Sequence, residues 1–154
     1  MKLTDTLARK LAALLTVEAN EPDIAFTVAG KTKNEGNAHQ HWRERHRRSK
    51  AARNALSAVT RVHLMRHVKL NDVLHLRANT PGFIVVVLER VSPKHLDDGD
   101  NLSSAMKSAR DGVADALGID DGPLTSVQWL YSQRRGAVRE HAIGVQIFIR
   151  LATS

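Results

Sequence analysis

At 154 residues, with 42% apolar and 25% charged side chains, the chain is sized for one hydrophobic core and is too apolar to be disordered throughout. It contains no cysteine, which excludes disulfides, a thiolate nucleophile and any Cys-based zinc or iron–sulfur centre, and suits a reducing cytoplasm. The net charge of +7 is concentrated: eleven of the 23 Lys and Arg lie between Lys31 and Lys69, opposed there only by Glu35 and Glu44, and five of the eight histidines fall in the same third.

Leu3, Leu7, Leu11 and Leu14 recur every three or four residues and predict an amphipathic helix over residues 1–20, ending before Pro22. The apolar run inside it, Leu11 to Leu15, is too short for the core of an export signal, and no membrane span is read. Residues 21–154 are predicted to form one α+β domain, a small mixed sheet packed by two long helices. Ile24, Phe26 and Val28 alternate with Ala25 and Thr27 as a strand stopped by Gly30, and a polar loop follows to Gln40.

From His41 to about Thr60 the chain is Arg, Lys, Ala and Leu without Pro or Gly, which is helix-forming material. Ala51, Ala55, Leu56, Val59 and Val62 are expected to face the core, with Arg45, Arg47, Arg48 and Lys50 outward. Val73 to Arg77 reads as the helix tail or as the first arm of a hairpin turning at Thr80, Pro81 and Gly82. Phe83 to Val91 is a β-branched and aromatic strand, and a second long helix is predicted from about Asn101 to Leu117, stopped by Gly118. Val127 to Tyr131 and Ile143 to Leu151 are strands, joined as a hairpin at Arg134, Arg135 and Gly136. In the last strand Ile143, Val145, Ile147, Ile149 and Leu151 alternate with Gly144, Gln146, Phe148 and Arg150, which predicts one buried face.

The basic third is the footprint expected of phosphate-backbone binding, in which neutralised phosphates release condensed counterions. Lys31, Lys33, Arg43, Arg45, Arg47, Arg48 and Lys50 are the candidate DNA contacts. A single basic run is more often only a solvated helix face, so the acids matter. Between Asp97 and Asp121 seven acids stand against Lys107 and Arg110 alone. Asp98 and Asp100 fall at the mouth of the second long helix, and Asp120 and Asp121 just past its end.

Carboxylates in such places are mostly caps and turns. Kept apart from a basic surface in one small chain, they are also the minimum equipment of a metal-dependent nuclease. Carboxylate oxygens suit Mg²⁺, which retains waters and leaves room for phosphate oxygens. The ion would lower the pKa of a water for in-line attack on a phosphodiester and offset charge on the leaving oxygen. Lys107 and Lys94 are the candidates to stabilise the developing negative charge. A straight helix of about seventeen residues is ~25 Å long, so the two acidic groups meet only if that helix starts late or bends.

The run Leu96-Asp97-Asp98-Gly99-Asp100-Asn101-Leu102, followed by Lys107, Arg110-Asp111-Gly112 and Leu117-Gly118-Ile119-Asp120-Asp121-Gly122, resembles the core motif of RusA-like crossover junction endodeoxyribonucleases. The order of elements from Ile24 to Leu151 is similar to that family's as well. The resemblance implies that Asp98, Asp100 and Asp121 bind Mg²⁺, with Mn²⁺ as a substitute, and that Lys107 is the catalytic lysine. It further implies a homodimer that nicks two strands of a four-way junction symmetrically. The chain departs from the family in carrying Asp97 ahead of the pair, in a longer interval before Lys107, which keeps Lys94 open, and in its N-terminal helix. The family's Asn-containing loop is matched loosely by Lys31-Thr32-Lys33-Asn34.

Two further groupings have weaker claims. His63 and His67 are spaced to share a helix face for zinc, but no third ligand is evident. Trp42 is suited to stacking on an unpaired base or to anchoring the helix start, and Trp129 and Tyr131 to core or edge packing. The function expected from the whole is a cytoplasmic, structure-selective DNA endonuclease. The alternatives are a DNA-binding protein without catalysis and a phosphodiesterase acting on another nucleic acid.

Overall fold

A computed structural model of the chain describes residue 9 and residues 21–32, 42–67, 82–96, 100–118 and 127–151. In chain order the elements are β1 (Ile24–Ala29), α1 (Trp42–Met65), β2 (Gly82–Ser92), α2 (Asp100–Ala105), α3 (Lys107–Leu117), β3 (Val127–Arg135) and β4 (Ala142–Leu151). The predicted helix over 1–20, Arg9 apart, and the arm over 73–77 lie outside the described residues.

The strands form one mixed sheet in the order β1-β4-β2-β3. β4 pairs antiparallel with β1 and β2, whereas β3 joins β2 in parallel, with Ile84 opposite Val127 and Ser92 opposite Arg135. β1, β2 and β3 therefore run the same way, and their carboxyl ends share one edge of the sheet with the start of β4. A parallel pair needs a long crossover, and α2 with α3 supplies it.

The expected hairpin between the last two strands does not form. The Gly136 amide instead prolongs the β2–β3 ladder by donating to the Ser92 carbonyl at 3.0 Å. Residues 136–141 then cross the end of β2 and deliver β4 to its other side. The crossing is tight, since a Cβ on Gly136 would lie 3.0 Å from both Val91 Cγ1 and the Glu140 carboxylate.

Burial explains why β4 belongs in the middle. Ile143, Val145 and Ile147 face the helices, but Gln146 and Phe148 on the opposite face are buried too, so the expectation of a single buried face is corrected. A nearly continuous apolar strand gains more between two neighbours, covered on both faces, than at an edge.

The second long helix is also corrected, to two shorter ones. At Met106 the backbone (φ −94°, ψ 2°) leaves the helical path. Its amide is shared between the carbonyls of Leu102 at 3.1 Å and Ser103 at 3.2 Å, while its side chain is wholly buried. The far end matches expectation: Gly118 takes the left-handed conformation (φ 67°, ψ 33°) and its amide bonds back to the Asp115 carbonyl.

α1 buries Leu56, Ser57, Thr60 and Leu64, whereas Ala51, Ala55 and Val62 are exposed, so the apolar stripe read from the sequence is rotated. Gly112 permits a close approach of the two helices. A Cβ there would stand 2.4 Å from the Arg53 carbonyl oxygen and 2.8 Å from Leu56 Cβ, so α1 meets α3 nearly backbone to backbone. Leu56 lies at this contact, and the small polar Ser57 and Thr60 are buried along the same helix. Thr60 is accommodated by donating its hydroxyl to the Leu56 carbonyl at 2.6 Å. Among the described residues, no helix is long and apolar enough to cross a membrane.

Candidate nucleic-acid and metal site

The shared edge at the carboxyl ends of β1, β2 and β3 gathers the loops after β1 and β2, where open sheets with helical crossovers commonly bind ligands. Two side chains brace it. Arg90, near the end of β2, donates from Nε to Thr32 Oγ1 at 2.8 Å and from a terminal nitrogen to the Lys94 carbonyl at 2.7 Å. It thereby ties the loop after β1 to the loop after β2. Burial pulls its pKa below the ordinary arginine value, yet a guanidinium remains a cation near neutrality.

Gln133 on β3 is the second brace. Its amide nitrogen donates to the Leu96 carbonyl at 2.7 Å and its oxygen accepts from the Leu96 amide at 3.0 Å. The chain is held in this way immediately before Asp97. Neither brace was foreseen from the sequence. An arginine inside the apolar run FIVVVLERV was the available signal, because a buried guanidinium demands acceptors; nothing local marked Gln133.

Asp98 and Asp121 lie outside the described residues, as does the side chain of Asp100, whose backbone opens α2. The helix between the two acidic groups is interrupted at Met106. Two other acids of the 97–121 cluster have local structural partners. Asp115 takes a two-point hydrogen bond from Arg53, at 2.5 and 2.7 Å, which holds its carboxyl below the usual aspartate range. Asp111 pairs with Lys107 at 2.9 Å, one turn apart at the start of α3. Lys107 is 74% exposed, and Lys94 is exposed beside the Arg90 brace. Among the described residues, no three His, Asp or Glu side chains converge as a metal cluster.

The cationic helix has two faces where the sequence suggested one. Arg43, Arg47 and Lys50, at helical spacing, are exposed along an outer stripe, while Arg45 and Arg48 are half-buried. Arg53 is drawn into the pair with Asp115. Trp42 at the helix start is 62% exposed, with the Arg43 guanidinium 5.4 Å from its ring centre, so it is not an anchor on the sheet. Lys33 lies outside the described residues, and Lys31 is exposed on the loop after β1.

Arg48 and Lys31 lead into a cavity of about 330 Å³ at this edge, lined also by Thr32, Ser49, Ala52, Ala105, Ser108, Ala109 and Ile143. Across its floor Ser49 of α1 and Ser108 of α3 share a 2.8 Å hydrogen bond.

The zinc spacing of His63 and His67 is not used as such. His63 stacks flat on Phe26 of β1, with ring centres 4.4 Å apart, and His67 lies beyond the end of α1. Trp129 and Tyr131 pack against the core as expected, and Arg110 of α3 reaches both, 5.3 Å from the Trp129 ring and 3.4 Å from the Tyr131 hydroxyl.

Comparison of the chain with protein-family models, with curated proteins and with solved structures finds no match.

Proposed function

We propose that the chain is a Mg²⁺-dependent, structure-selective DNA endonuclease that resolves four-way junctions as a homodimer. The observation that supports this reading is that the loops after β1 and β2, tied together by Arg90, leave the same end of the sheet, where the front half of α1 lines a cavity. Arg43, Arg47 and Lys50 supply a track for phosphates. The braces from Arg90 and Gln133 fix the chain that leads into Asp98 and Asp100.

Asp98, Asp100 and Asp121 would together offer an all-oxygen donor set of the kind Mg²⁺ takes. Bound there, the ion would acidify a water and offset charge on the departing oxygen. The protein's own part is to orient the scissile phosphate and present a cation to it. Lys94 suits that second role by its place next to the Arg90 brace, and Lys107 by its exposure and its match to the family pattern. Asp111, one turn from Lys107, would orient that ammonium.

The test is incubation with a synthetic four-way junction and a matched linear duplex, in Mg²⁺ or in chelator. Cutting of the junction alone, and only with metal, is expected. Binding without cutting would leave a DNA-binding protein, and preferential cutting of RNA would move the substrate class.

A further inference from the structure

The cavity between the loop after β1, the front half of α1 and the α2–α3 break is lined, among the described residues, by donors and no carboxylate: Lys31, Thr32, Arg48, Ser49 and Ser108, with Ala105, Ala109 and Ile143. We propose that it is an oxyanion pocket that seats one phosphate group of the bound DNA strand, a site distinct from the carboxylates. This rests on the reading of the protein as a nucleic-acid enzyme.

Hydroxyl chemistry carries the argument. A hydroxyl is both donor and acceptor, so its partner decides which role is left over. Thr32 Oγ1 accepts from Arg90 Nε at 2.8 Å, which leaves the Thr32 proton to donate elsewhere. Ser49 and Ser108 bond to each other at 2.8 Å and spend one of their two protons doing so. The other is left to donate.

Both hydroxyl groups are thus biased toward donation by structural partners outside the anion, and a charged donor behind a hydroxyl strengthens what it gives. With Lys31 and Arg48 adding positive charge, the pocket offers a tetrahedral oxyanion several donors from three elements. A volume of about 330 Å³ accommodates a phosphate with adjoining sugar atoms. A strand phosphate is favoured over a free one on the proposed function alone, since Arg48, Ser49 and Ala52 line the pocket from the face of α1 opposite the exposed stripe of Arg43, Arg47 and Lys50.

The test uses Thr32→Val and the double variant Ser49→Ala/Ser108→Ala, which remove hydroxyls but no charge, because either serine alone would keep one proton to donate; Thr32→Ser is the conservative control. Inorganic phosphate is followed by ³¹P line broadening, and a four-way junction by fluorescence anisotropy in chelator. Both variants are expected to bind phosphate and junction about tenfold more weakly, in the range for loss of a hydrogen bond to a charged group, while Thr32→Ser retains both. Should the double variant not melt cooperatively, Thr32→Val compared with Thr32→Ser carries the test.

Absence of phosphate broadening in the wild type, or junction binding unchanged in both variants, overturns the pocket. Junction cutting in Mg²⁺ is scored separately on the same proteins. Hydroxyl-dependent binding without any cutting would remove the nuclease reading and leave the pocket, and cutting with unaltered binding in the variants would do the reverse.

Discussion

Gln133 holds both backbone polar groups of Leu96, accepting from its amide at 3.0 Å and donating to its carbonyl at 2.7 Å. An edge strand thus grips the residue before Asp97, and the grip has the geometry of a ladder rung made by a side chain. Gln133→Leu is predicted to cost about 2 kcal/mol of stability, two bonds at the usual net worth of about 1 each. Junction cleavage should fall further in free-energy terms, because small misplacements of catalytic groups are amplified in rate. Urea denaturation and single-turnover cleavage measured side by side check this; a rate loss no larger than the stability loss would reduce Gln133 to a purely structural role.

Asp100→Asn is predicted to abolish cleavage in Mg²⁺ while leaving junction binding intact or tighter, since it removes a carboxylate and relieves repulsion of the phosphates. A gel-based cleavage assay with a parallel binding titration reads both. Undiminished cutting would remove Asp100 from the metal site.

Junction binding is predicted to weaken steeply with salt. Arg47→Gln and Lys50→Gln, on the exposed stripe of α1, should each lower the slope of log K against log[salt] by about 1. A flat salt response in the wild type would exclude α1 as the footprint.

Gly112→Ala tests the packing that fixes α1. The added Cβ would fall 2.4 Å from the Arg53 carbonyl oxygen, and backbone cannot yield as a side chain tip can. The expected destabilisation is about 2 kcal/mol, since overpacking typically costs 1–3, and the ~1 kcal/mol gained in helix propensity does not offset it. In thermal denaturation this appears as a fall in Tm of roughly 4–8 °C.

Glu89 makes stability pH-dependent. Burial on the sheet face opposite the helices raises its pKa, against the lowering effect of Arg134 at 3.5 Å. The folded state therefore holds a proton that the unfolded chain has already released. This contribution to stability is fully present below the ordinary glutamate range and is lost as pH rises through the raised midpoint. Glu89→Gln, which mimics the protonated form, is predicted to raise Tm at neutral pH and to flatten the Tm profile on the acidic side. A variant less stable than the wild type at pH 7 would show that the pair with Arg134 outweighs burial.

Periodicity and composition were enough to place β1, β2, the basic helix α1, the stop of α3 at Gly118 and the strand character of the last two segments. Those signals are local: alternation, helix propensity and a left-handed cap act within a few residues. The charge segregation and the DxDN run were equally legible, because they are properties of adjacent residues.

Pairing was not local, and there the tertiary structure decided. Arg134, Arg135 and Gly136 look like a hairpin turn, yet β4 lies between β1 and β2, where its apolar residues are covered on both faces. The buried face of α1 includes the close approach to Gly112, more than fifty residues beyond Leu56 in sequence, and takes in Ser57 and Thr60 with Leu56 and Leu64 where local apolarity pointed to Ala51, Ala55 and Val62. The braces at Arg90 and Gln133 and the hydroxyls of Thr32, Ser49 and Ser108 belong to the same class. A polar side chain's role depends on which donor or acceptor the fold brings opposite it, and that partner is distant in sequence.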